Sequence, residues 1–482
     1  MTIKGVNGGV VGFVNLSTGE IKKIQVPDEV YGNFLGGYGL GVWFLYTHMK
    51  PRVDPLGPDN ILGIISGLLN ASGIPMTGRS MAVGKSPLTG GWGGDSNAGG
   101  RFGPKLLEAG LDAIFVTGAS EKPVYILIDN GDIHIESASD LWGGRNTRET
   151  EDELRRRYKG AQVVSIGPAG ERLQLIAAII NEYGRAYGRS GLGAVMGSKK
   201  LKAIVAVGDK KPEIHDRDLL RQKIKEMLDA LKTTRARAYE IWHKYGTIST
   251  LDTSVLSGDT PIKNWAGIGV RDYGTKNLEK FGTNTVIQDN IKPYGCASCP
   301  VACGAWIRRN TRYGLVDMGH RLEYETASLF GPALLNADQD SVVYVGELCN
   351  MYGLDTISTA NTVGFAFELY EKGILTEKDV GFPLRWGDPD AVVKLVELIA
   401  KAEGIGKVLG QGVKRAAELI GRGGAEQYAM HVGGQELPAH HPQFLPGLAI
   451  TYTADPTPAR HTAGGVHWWG GEGGKSFGRP ST

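Results

Sequence analysis

Cysteine, net charge and long apolar runs are the features that this sequence has little of. The chain of 482 residues contains 4 cysteines, too few for a scaffold held together by disulfides. Its 53 basic and 51 acidic residues leave a formal charge of +2, which argues against nucleic acid or an anionic membrane as the main partner. No stretch approaches the roughly 18 apolar residues of a membrane-spanning helix, so none is predicted.

The first residues do not show the pattern of a targeting segment. Residues 1–20 read as an alternating strand with turns, and not as a charged segment followed by an apolar one. We therefore expect a cytoplasmic protein in a cell that is reducing enough to keep its thiols free.

Glycine is the residue type in clear excess. Its 71 residues are about twice the usual share. They are spread along the chain without a period, which indicates many places where the backbone turns sharply or approaches a ligand closely.

Three of the four cysteines lie in one short stretch, Cys296-Ala-Ser-Cys299-Pro-Val-Ala-Cys303. Thiolates this close together in a cysteine-poor chain are more often metal ligands than disulfide partners. The spacing allows one loop to bind three corners of a 4Fe-4S cluster. A zinc site usually has a second well-spaced pair of Cys or His in addition to the first pair. The alternatives to the iron–sulfur cluster are a zinc site and a set of buried cysteines without a metal.

Cys349, on the apolar side of a predicted helix, is either a buried thiol or a fourth cluster ligand.

Two glycine-rich stretches with basic side chains predict anion-binding sites. The first runs from Thr77 through a strand and a turn to a loop that ends at Arg101, and the second runs from Asn181 to Lys202. Glycine amides, hydroxyls and basic side chains ahead of a helix favour an anionic ligand such as a phosphate. Loops that merely turn the chain are the alternative.

A nucleotide-hydrolysing P-loop is not predicted for the first stretch. Five residues, and not four, separate Gly78 from Gly84, and Pro87 disfavours the helix that should follow.

The histidines near the end of the sequence, among them His440 and His461, do not individually indicate a catalytic site, because a single His is more often a structural residue.

The periodicity changes along the chain. The first third contains short strand-like runs near residues 9–14, 21–26, 61–65, 114–118 and 124–128. A charged, helix-forming sequence begins after Pro212, and from there the chain reads mainly as helix. The predicted fold class is α+β, with a β-rich N-terminal domain followed by mainly α-helical domains.

Five motifs occur in order along the chain and carry a family resemblance. They are Lys85-Ser-Pro-Leu-Thr-Gly90, Gly191-Leu-Gly-Ala-Val-Met-Gly-Ser-Lys199, the cysteine stretch, Glu323-Tyr-Glu-Thr326 and Gly353-Leu-Asp-Thr-Ile-Ser-Thr359. Together they resemble the tungsten-containing aldehyde ferredoxin oxidoreductase family over the whole chain. The resemblance implies three domains: 1–212, a β-rich base for a tungsten (or molybdenum) bis-pyranopterin cofactor; 213–425, mainly helical with the cysteine loop; and 426–482, the start of a third, helical domain.

The same resemblance implies an activity and partners. Such an enzyme oxidises a small aldehyde to the carboxylic acid with water, and electrons leave through a 4Fe-4S cluster to ferredoxin or another iron–sulfur carrier. A homodimer is compatible with it.

By resemblance, individual residues receive roles. The residues expected to contact the pterin phosphates and the magnesium ion that joins them are Arg79, Asn97, Arg185 and Ala186. The residues expected to form one pterin-binding loop are Asn350, Gly353, Leu354 and Asp355. The cluster ligands are Cys296, Cys299 and Cys303, and the acid and imidazole beside the metal are Glu325 and His461.

The sequence also departs from the family pattern. Asn350 stands where an Asp is usual, and Tyr344 and Glu347 replace the Glu-x2-His of a subunit-bridging iron, so no such iron is expected. The chain ends at Thr482, before a second pterin motif and a fourth cluster cysteine, and the Trp468–Lys475 stretch is not typical of a C-terminus. We therefore expect a fragment. The alternatives are a tungsten subunit of an aromatic-ring thioester reductase, or an electron-transfer subunit without pterin.

Overall fold

The computed structural model of the protein describes residues 3–91 and 94–462. The Trp468–Lys475 stretch, on which the expectation of a fragment partly depends, lies outside the described residues. Contacts divide the chain into two compact units. Unit 1 contains residues 1–244, 292–306 and 350–355, and unit 2 contains residues 245–291, 307–349 and 356–482.

Unit 1 contains two mixed sheets. The first has the order β2-β1-β6-β3-β4-β5, with strands β1 (Val10–Asn15), β2 (Glu20–Gln25), β3 (Leu62–Ser66), β4 (Ser80–Gly84), β5 (Gly94–Ala98) and β6 (Ala113–Thr117). The second has the order β11-β10-β9-β12-β7-β8, with strands β7 (Val124–Asp129), β8 (Asp132–Ser137), β9 (Gln162–Ile166), β10 (Ile179–Asn181), β11 (Arg185–Tyr187) and β12 (Leu201–Val207). The strand-like runs of the sequence correspond to β1, β2, β3, β6 and β7.

The helices of this part of the chain are α1 (Asp28–Phe34), α2 (Tyr38–His48), α3 (Phe102–Glu108), α4 (Thr147–Arg157), α5 (Pro168–Glu171), α6 (Leu192–Ser198), α7 (Arg217–Lys232) and α8 (Ala236–Tyr245). One core collects apolar side chains from both sheets and from α3 and α6. The start of α4 has a local cause: Asn146 accepts a hydrogen bond from the Glu149 amide, and the Glu149 side chain accepts one from the Asn146 amide, which satisfies two amides that the helix leaves without partners.

The loop predicted ahead of α3 contains a strand. Residues 94–98 form β5, which pairs antiparallel with β4 from Ser80↔Ala98 to Gly84↔Gly94. The Gly-Asp-Ser-Asn-Ala sequence has low intrinsic strand propensity, and pairing with a buried neighbour overrides that preference. The sequence-based interpretation of this segment as irregular loop was wrong.

The later elements are mainly helical. The helices are α9 (Leu251–Ser257), α10 (Gly269–Tyr273), α11 (Thr275–Lys280), α12 (Thr283–Val286), α13 (Tyr324–Phe330), α14 (Gln339–Tyr352), α15 (Thr356–Glu371), α16 (Glu377–Val380), α17 (Pro389–Lys401), α18 (Gly406–Leu409), α19 (Gly412–Ile420) and α20 (Gly447–Ala454). The strands are β13 (Pro261–Ile262), β14 (Gly267–Ile268), β15 (Asn290–Tyr294), β16 (Gly304–Thr311), β17 (Gly314–His320), β18 (His431–Val432) and β19 (Gln435–Glu436).

The predicted α+β class is confirmed: a β-rich segment precedes a mainly helical one. The division at residues 212 and 425 stays a prediction, and the cysteine stretch is grouped with the β-rich segment in unit 1. Among the described residues, no helix has both the length and the apolar character needed to cross a bilayer.

Candidate functional site

The cysteine stretch forms a tight loop between β15 and β16. The amide of Cys299 donates to the carbonyl of Cys296 at 3.1 Å, and both Ser298 and Ala302 have positive φ, 54° and 46°. Positive φ is uncommon for residues with a side chain, so this loop is bent more sharply than an ordinary turn. None of its three cysteines forms a disulfide, and all three are half-buried, so the loop presents three thiol groups from one short segment.

The cysteine loop is attached to the first glycine-rich stretch. The Ala297 amide donates a hydrogen bond to the Gly100 carbonyl at 3.0 Å, and the Ser298 carbonyl accepts a hydrogen bond from the Met76 amide at 3.3 Å. A Cβ atom at Gly99 would lie 2.5 Å from the Cys296 Sγ. Glycine at this position is what allows the sulfur to approach the backbone.

The arrangement of the three cysteines is compatible with an iron–sulfur cluster. Three sulfurs around one zinc ion, each at 2.3 Å, would lie about 3.8 Å apart. Among the described residues, one group of three side chains has potential ligand atoms that all lie within 4.8 Å of one another: Glu325, His440 and His461. The three cysteines do not form such a group. Wider spacing of thiolates suits the corners of an iron–sulfur cubane.

Arg79 and Asn97 are direct neighbours. The Arg79 guanidinium donates to the Asn97 Oδ1, and the Asn97 amide donates to the Tyr38 hydroxyl at 2.6 Å. Both side chains belong to the first glycine-rich stretch, on or next to the paired strands β4 and β5. Together they present an arginine charge and an oriented amide, which suit an anionic ligand.

The two glycine-rich stretches, predicted separately, lie side by side. The amide of Arg189 donates to the Ser96 Oγ at 3.3 Å, and the Ser190 hydroxyl donates to the Asp95 carbonyl at 2.9 Å. These bonds join the second stretch to β5. The two stretches that the sequence predicted to bind anions are therefore direct neighbours.

Arg185 connects the second stretch to the cysteine loop. If Gly99, the glycine that packs against the Cys296 sulfur, carried a Cβ atom, that atom would lie 3.8 Å from the Arg185 Cδ. Its guanidinium lies over the Tyr294 ring at 4.6 Å from the centroid, and Tyr294 stacks on Trp306 at 4.6 Å. The cation–π contact holds the arginine charge beside the cysteine loop.

The loop predicted to bind pterin packs on the same part of unit 1. Leu354 forms an isolated bridge with Ala177, and Gly353 accepts a hydrogen bond from Ala178 at 2.8 Å. Asp355 lies 3.7 Å from the Arg189 guanidinium. Gly353, with φ of 72°, ends α14 as predicted, and α15 begins directly after Asp355 at Thr356.

Asn350 and Ala186 are held through their backbones. The carbonyl of Asn350 accepts a hydrogen bond from the Thr147 hydroxyl at 2.8 Å, and Ala186 pairs with Ile180 between β11 and β10. All the residues predicted to contact the pterin or the cluster thus belong to unit 1. Their ligand roles stay predictions, whereas their proximity is a feature of the fold.

Glu325 and His461, the predicted acid and imidazole, are neighbours in unit 2. The Glu325 Oε1 lies 3.3 Å from the His461 Nε2, and its Oε2 accepts a hydrogen bond from the Ala439 amide at 2.7 Å. Glu325 lies in the first turn of α13, where the helix dipole favours a negative charge. One carboxylate oxygen is therefore fixed by the backbone, and the other faces an imidazole.

Two residues that the sequence analysis did not select complete this group. The His440 Nδ1 lies 2.8 Å from the Asp259 Oδ2, and the His440 Nε2 lies 3.7 Å from the Glu325 Oε1. Burial opposes protonation of His440, but the hydrogen bond to Asp259 and the charges of Glu325 and Asp259 outweigh it and raise its pKa. No local pattern links His440 to residues that lie 115 and 181 positions away.

Cys349 is fully buried on α14. It is grouped with unit 2, whereas the cysteine loop is grouped with unit 1. Its role, as a buried thiol or as a fourth cluster ligand, stays a prediction.

Comparison with known proteins gives consistent relationships. Family models described as aldehyde ferredoxin oxidoreductase, N-terminal domain, and aldehyde ferredoxin oxidoreductase, domains 2 and 3, match residues 11–208 and 222–476. The tungsten-containing aldehyde ferredoxin oxidoreductase of Pyrococcus furiosus is 38% identical over 458 residues, covering 94% of this chain and 72% of that protein. The aliphatic sulfonate oxidoreductase, WOR-like subunit, of the same organism is 33% identical over 491 residues, covering 94% of this chain and 74% of that protein.

A solved structure is also similar. It is the active site complex BamBC of benzoyl coenzyme A reductase in complex with 1,5-dienoyl-CoA, with a TM-score of 0.82, 27% identity, and coverage of 95% of this chain and 70% of that chain. The two family models together span most of the sequence, and the relatives cover nearly all of it. The chain therefore belongs to the aldehyde ferredoxin oxidoreductase family and is an oxidoreductase of that family.

Proposed function

We propose that this protein oxidises a small aldehyde to the carboxylic acid, with water as the oxygen donor, at a tungsten bis-pyranopterin centre. The observation that supports it best is the meeting in unit 1 of the two basic glycine-rich stretches with the cysteine loop, through the Gly99–Cys296 and Arg185–Tyr294 contacts. A pterin carrying phosphates and a redox cluster require that combination of anion-binding loops and thiolates.

The residues present fit such a cofactor. Arg79, Asn97, Arg185 and Ala186 would hold the phosphates and their magnesium ion; Asn350, Gly353, Leu354 and Asp355 would hold one pterin; and Cys296, Cys299 and Cys303 would hold a 4Fe-4S cluster. When bound, the metal centre would supply the two-electron redox chemistry and the cluster a one-electron exit to ferredoxin or a similar carrier.

Glu325 and His461 would act on the substrate and water. With its Oε2 fixed by the Ala439 amide, Glu325 is positioned to accept a proton from water at its Oε1 as the new C–O bond forms. His461 would donate a hydrogen bond to the aldehyde oxygen as negative charge develops there. Neither residue is required as a metal ligand in this scheme.

Reduction of an aromatic-ring thioester is the second candidate. It is favoured by the TM-score of 0.82 to a benzoyl coenzyme A reductase complex. Against it stands the higher identity, 38%, to an aldehyde ferredoxin oxidoreductase.

Elemental analysis and substrate assays of anaerobically purified protein test the proposal. We expect tungsten or molybdenum together with iron, and aldehyde-dependent reduction of ferredoxin or a viologen dye. Iron without either heavier metal would support an electron-transfer subunit. Turnover of an aromatic thioester without aldehyde oxidation would support the second candidate.

Substitution of the two proposed catalytic side chains tests their roles. The Glu325→Gln and His461→Ala variants should each keep the metal content of the unchanged protein. Their kcat should be lower by about 100-fold or more, since general-base and oxyanion-stabilising groups each contribute about that factor to the rate. Metal analysis of both variants is the control, and loss of metal in both would show that the assignment is wrong.

A further inference from the structure

His440 lies at the centre of a line of polar side chains in unit 2. Its Nδ1 is 2.8 Å from the Asp259 Oδ2, and its Nε2 is 3.7 Å from the Glu325 Oε1. The same Oε1 is 3.3 Å from the His461 Nε2. Because the Nδ1–H donates a hydrogen bond to the Asp259 carboxylate, which is 6% exposed, the imidazole is oriented with Nε2 toward Glu325.

The position of His440 is fixed by several neighbours. Its ring stacks on the Tyr324 ring at 4.8 Å between centroids, and its carbonyl accepts a hydrogen bond from the Tyr452 hydroxyl at 2.9 Å. The Tyr324 hydroxyl donates to the Ala439 carbonyl at 2.7 Å, and the Ala439 amide donates to Glu325. The backbone before His440 therefore holds one carboxylate oxygen, and the His440 side chain faces the other.

The charges around His440 favour its protonated form. Asp259 and Glu325 face its two nitrogens, the Tyr324 ring covers one face, and His461 lies 5.4 Å away between ring centroids. Burial opposes protonation, but the hydrogen bond to Asp259 and the two carboxylate charges outweigh it and raise the pKa of His440. An imidazolium at this position donates a hydrogen bond to Asp259 and attracts the Glu325 carboxylate, whose Oε1 lies 3.7 Å away, through its charge.

We propose that His440, oriented by Asp259, is a positioning residue that holds the Glu325 carboxylate in place and directed toward His461. The inference rests on the proposed function, in which Glu325 accepts a proton. His440 touches neither substrate nor metal in this role. It acts through the charge and direction of Glu325.

The pH profile of turnover distinguishes this role from a structural one. Activity of the unchanged protein should fall as pH rises through the pKa of His440, because neutral His440 no longer holds Glu325. Asp259→Asn removes the charge that stabilises the imidazolium, so the alkaline limb should move to lower pH. His440→Gln keeps a hydrogen-bond donor without the charge, and should abolish that limb and lower kcat about tenfold with little change in KM.

A second measurement uses protein without metal. The chain has 10 histidines, and the signal of His440 in ¹⁵N-histidine-labelled protein is identified by its absence in His440→Gln. It should titrate above the ordinary value of about 6.5, and at lower pH in Asp259→Asn. His441→Gln is the matched control: its ring contacts Trp265 at 5.4 Å, and its loss should change neither the pH profile nor the His440 signal.

Several outcomes would overturn the inference. An unchanged alkaline limb in both His440→Gln and Asp259→Asn contradicts it, as does titration of His440 below 6.5. Tight Zn²⁺ binding by the metal-free protein that requires Glu325, His440 and His461 together would make the group a cation site instead. If His440→Gln does not fold, Asp259→Asn carries the test; and if the unchanged protein oxidises no aldehyde, the proposed function fails while the titration still decides the charge on His440.

Discussion

At the scale of single residues, the candidate site depends on a close approach of sulfur to backbone. A side chain at Gly99 would place its first carbon 2.5 Å from the Cys296 Sγ, and a Cβ at Gly78 would lie 2.8 Å from the Ala297 nitrogen. Carbon and sulfur cannot come that close without displacement of one of them. Each glycine therefore sets the position of a residue more than 190 positions later in the chain.

Gly99→Ala tests this dependence. The added methyl group should push the Cys296 thiol or its loop away, and the purified variant should contain markedly less iron per chain. Gly144→Ala is the matched control, because a Cβ there meets no atom within 4 Å, and its iron content should equal that of the unchanged protein. Equal iron in both variants would contradict the packing described.

At the scale of elements, the end of the second glycine-rich stretch is structural. The ammonium of Lys199, at the end of α6, donates to the carbonyls of Asn60 and Gly118 at 2.5 and 3.2 Å. Lys202, on β12, forms an ion pair with Glu171 of α5, and their side chains are 0% and 5% exposed. Burial lowers the pKa of Lys202, and the Glu171 charge opposes that shift. Lys199 thus joins the end of α6 to residues beside β3 and β6, and Lys202 joins α5 to the second sheet. Both lysines are buried and are not available to a ligand.

Glu171→Ala should destabilise unit 1 strongly. It leaves the Lys202 ammonium buried without its carboxylate, which costs about 3–5 kcal/mol. Urea unfolding followed by circular dichroism measures the change. Replacing both partners with apolar residues, Glu171→Leu with Lys202→Met, should recover most of the loss.

The control for that experiment is the exposed pair on α7. Lys223 and Glu226 are 58% and 50% exposed, so Glu226→Ala should leave the unfolding midpoint unchanged, as is usual for surface pairs. If Glu171→Ala were equally harmless, the hydrogen bond from Lys202 to the Arg145 carbonyl at 2.9 Å would be enough to stabilise the buried ammonium.

At the scale of the whole molecule, the predicted roles are divided between two units. The residues assigned to the pterin and the cluster belong to unit 1, and Glu325, His440 and His461 belong to unit 2. Segments 292–306 and 350–355 lie in the mainly helical part of the sequence but belong to unit 1. The segments that would bind the cofactors are thus discontinuous in sequence.

Removal of the metal should loosen part of unit 1. Bound ligands stabilise the segments that contact them, so hydrogen exchange measured by mass spectrometry should speed up in the cysteine loop and in β5 when iron and tungsten are removed. Exchange in α17 of unit 2 should change little, since none of its residues has a predicted ligand role. Uniform acceleration along the chain would indicate global unfolding and would contradict a local binding site.

Much of this architecture was predictable because it depends on short segments. Strands β1, β3 and β7 follow from apolar runs between turn residues, and the cysteine spacing indicates a metal site without any structure. The strand at β5 was missed because Gly94–Ala98 lacks strand-forming residues, and its conformation depends on pairing with β4.

The sequence by itself determined the α+β class, the family motifs and the kinds of chemical groups available: three clustered thiols, two basic glycine-rich stretches and an acid in Glu-Tyr-Glu-Thr. Only the tertiary structure decided which of these groups meet. It placed Gly99 against Cys296 and Arg185 over the Tyr294 ring, and it placed His440 between Asp259 and Glu325. The physical reason is that local patterns reflect backbone preferences over a few residues, whereas contacts between distant residues follow from how whole elements bury their apolar faces.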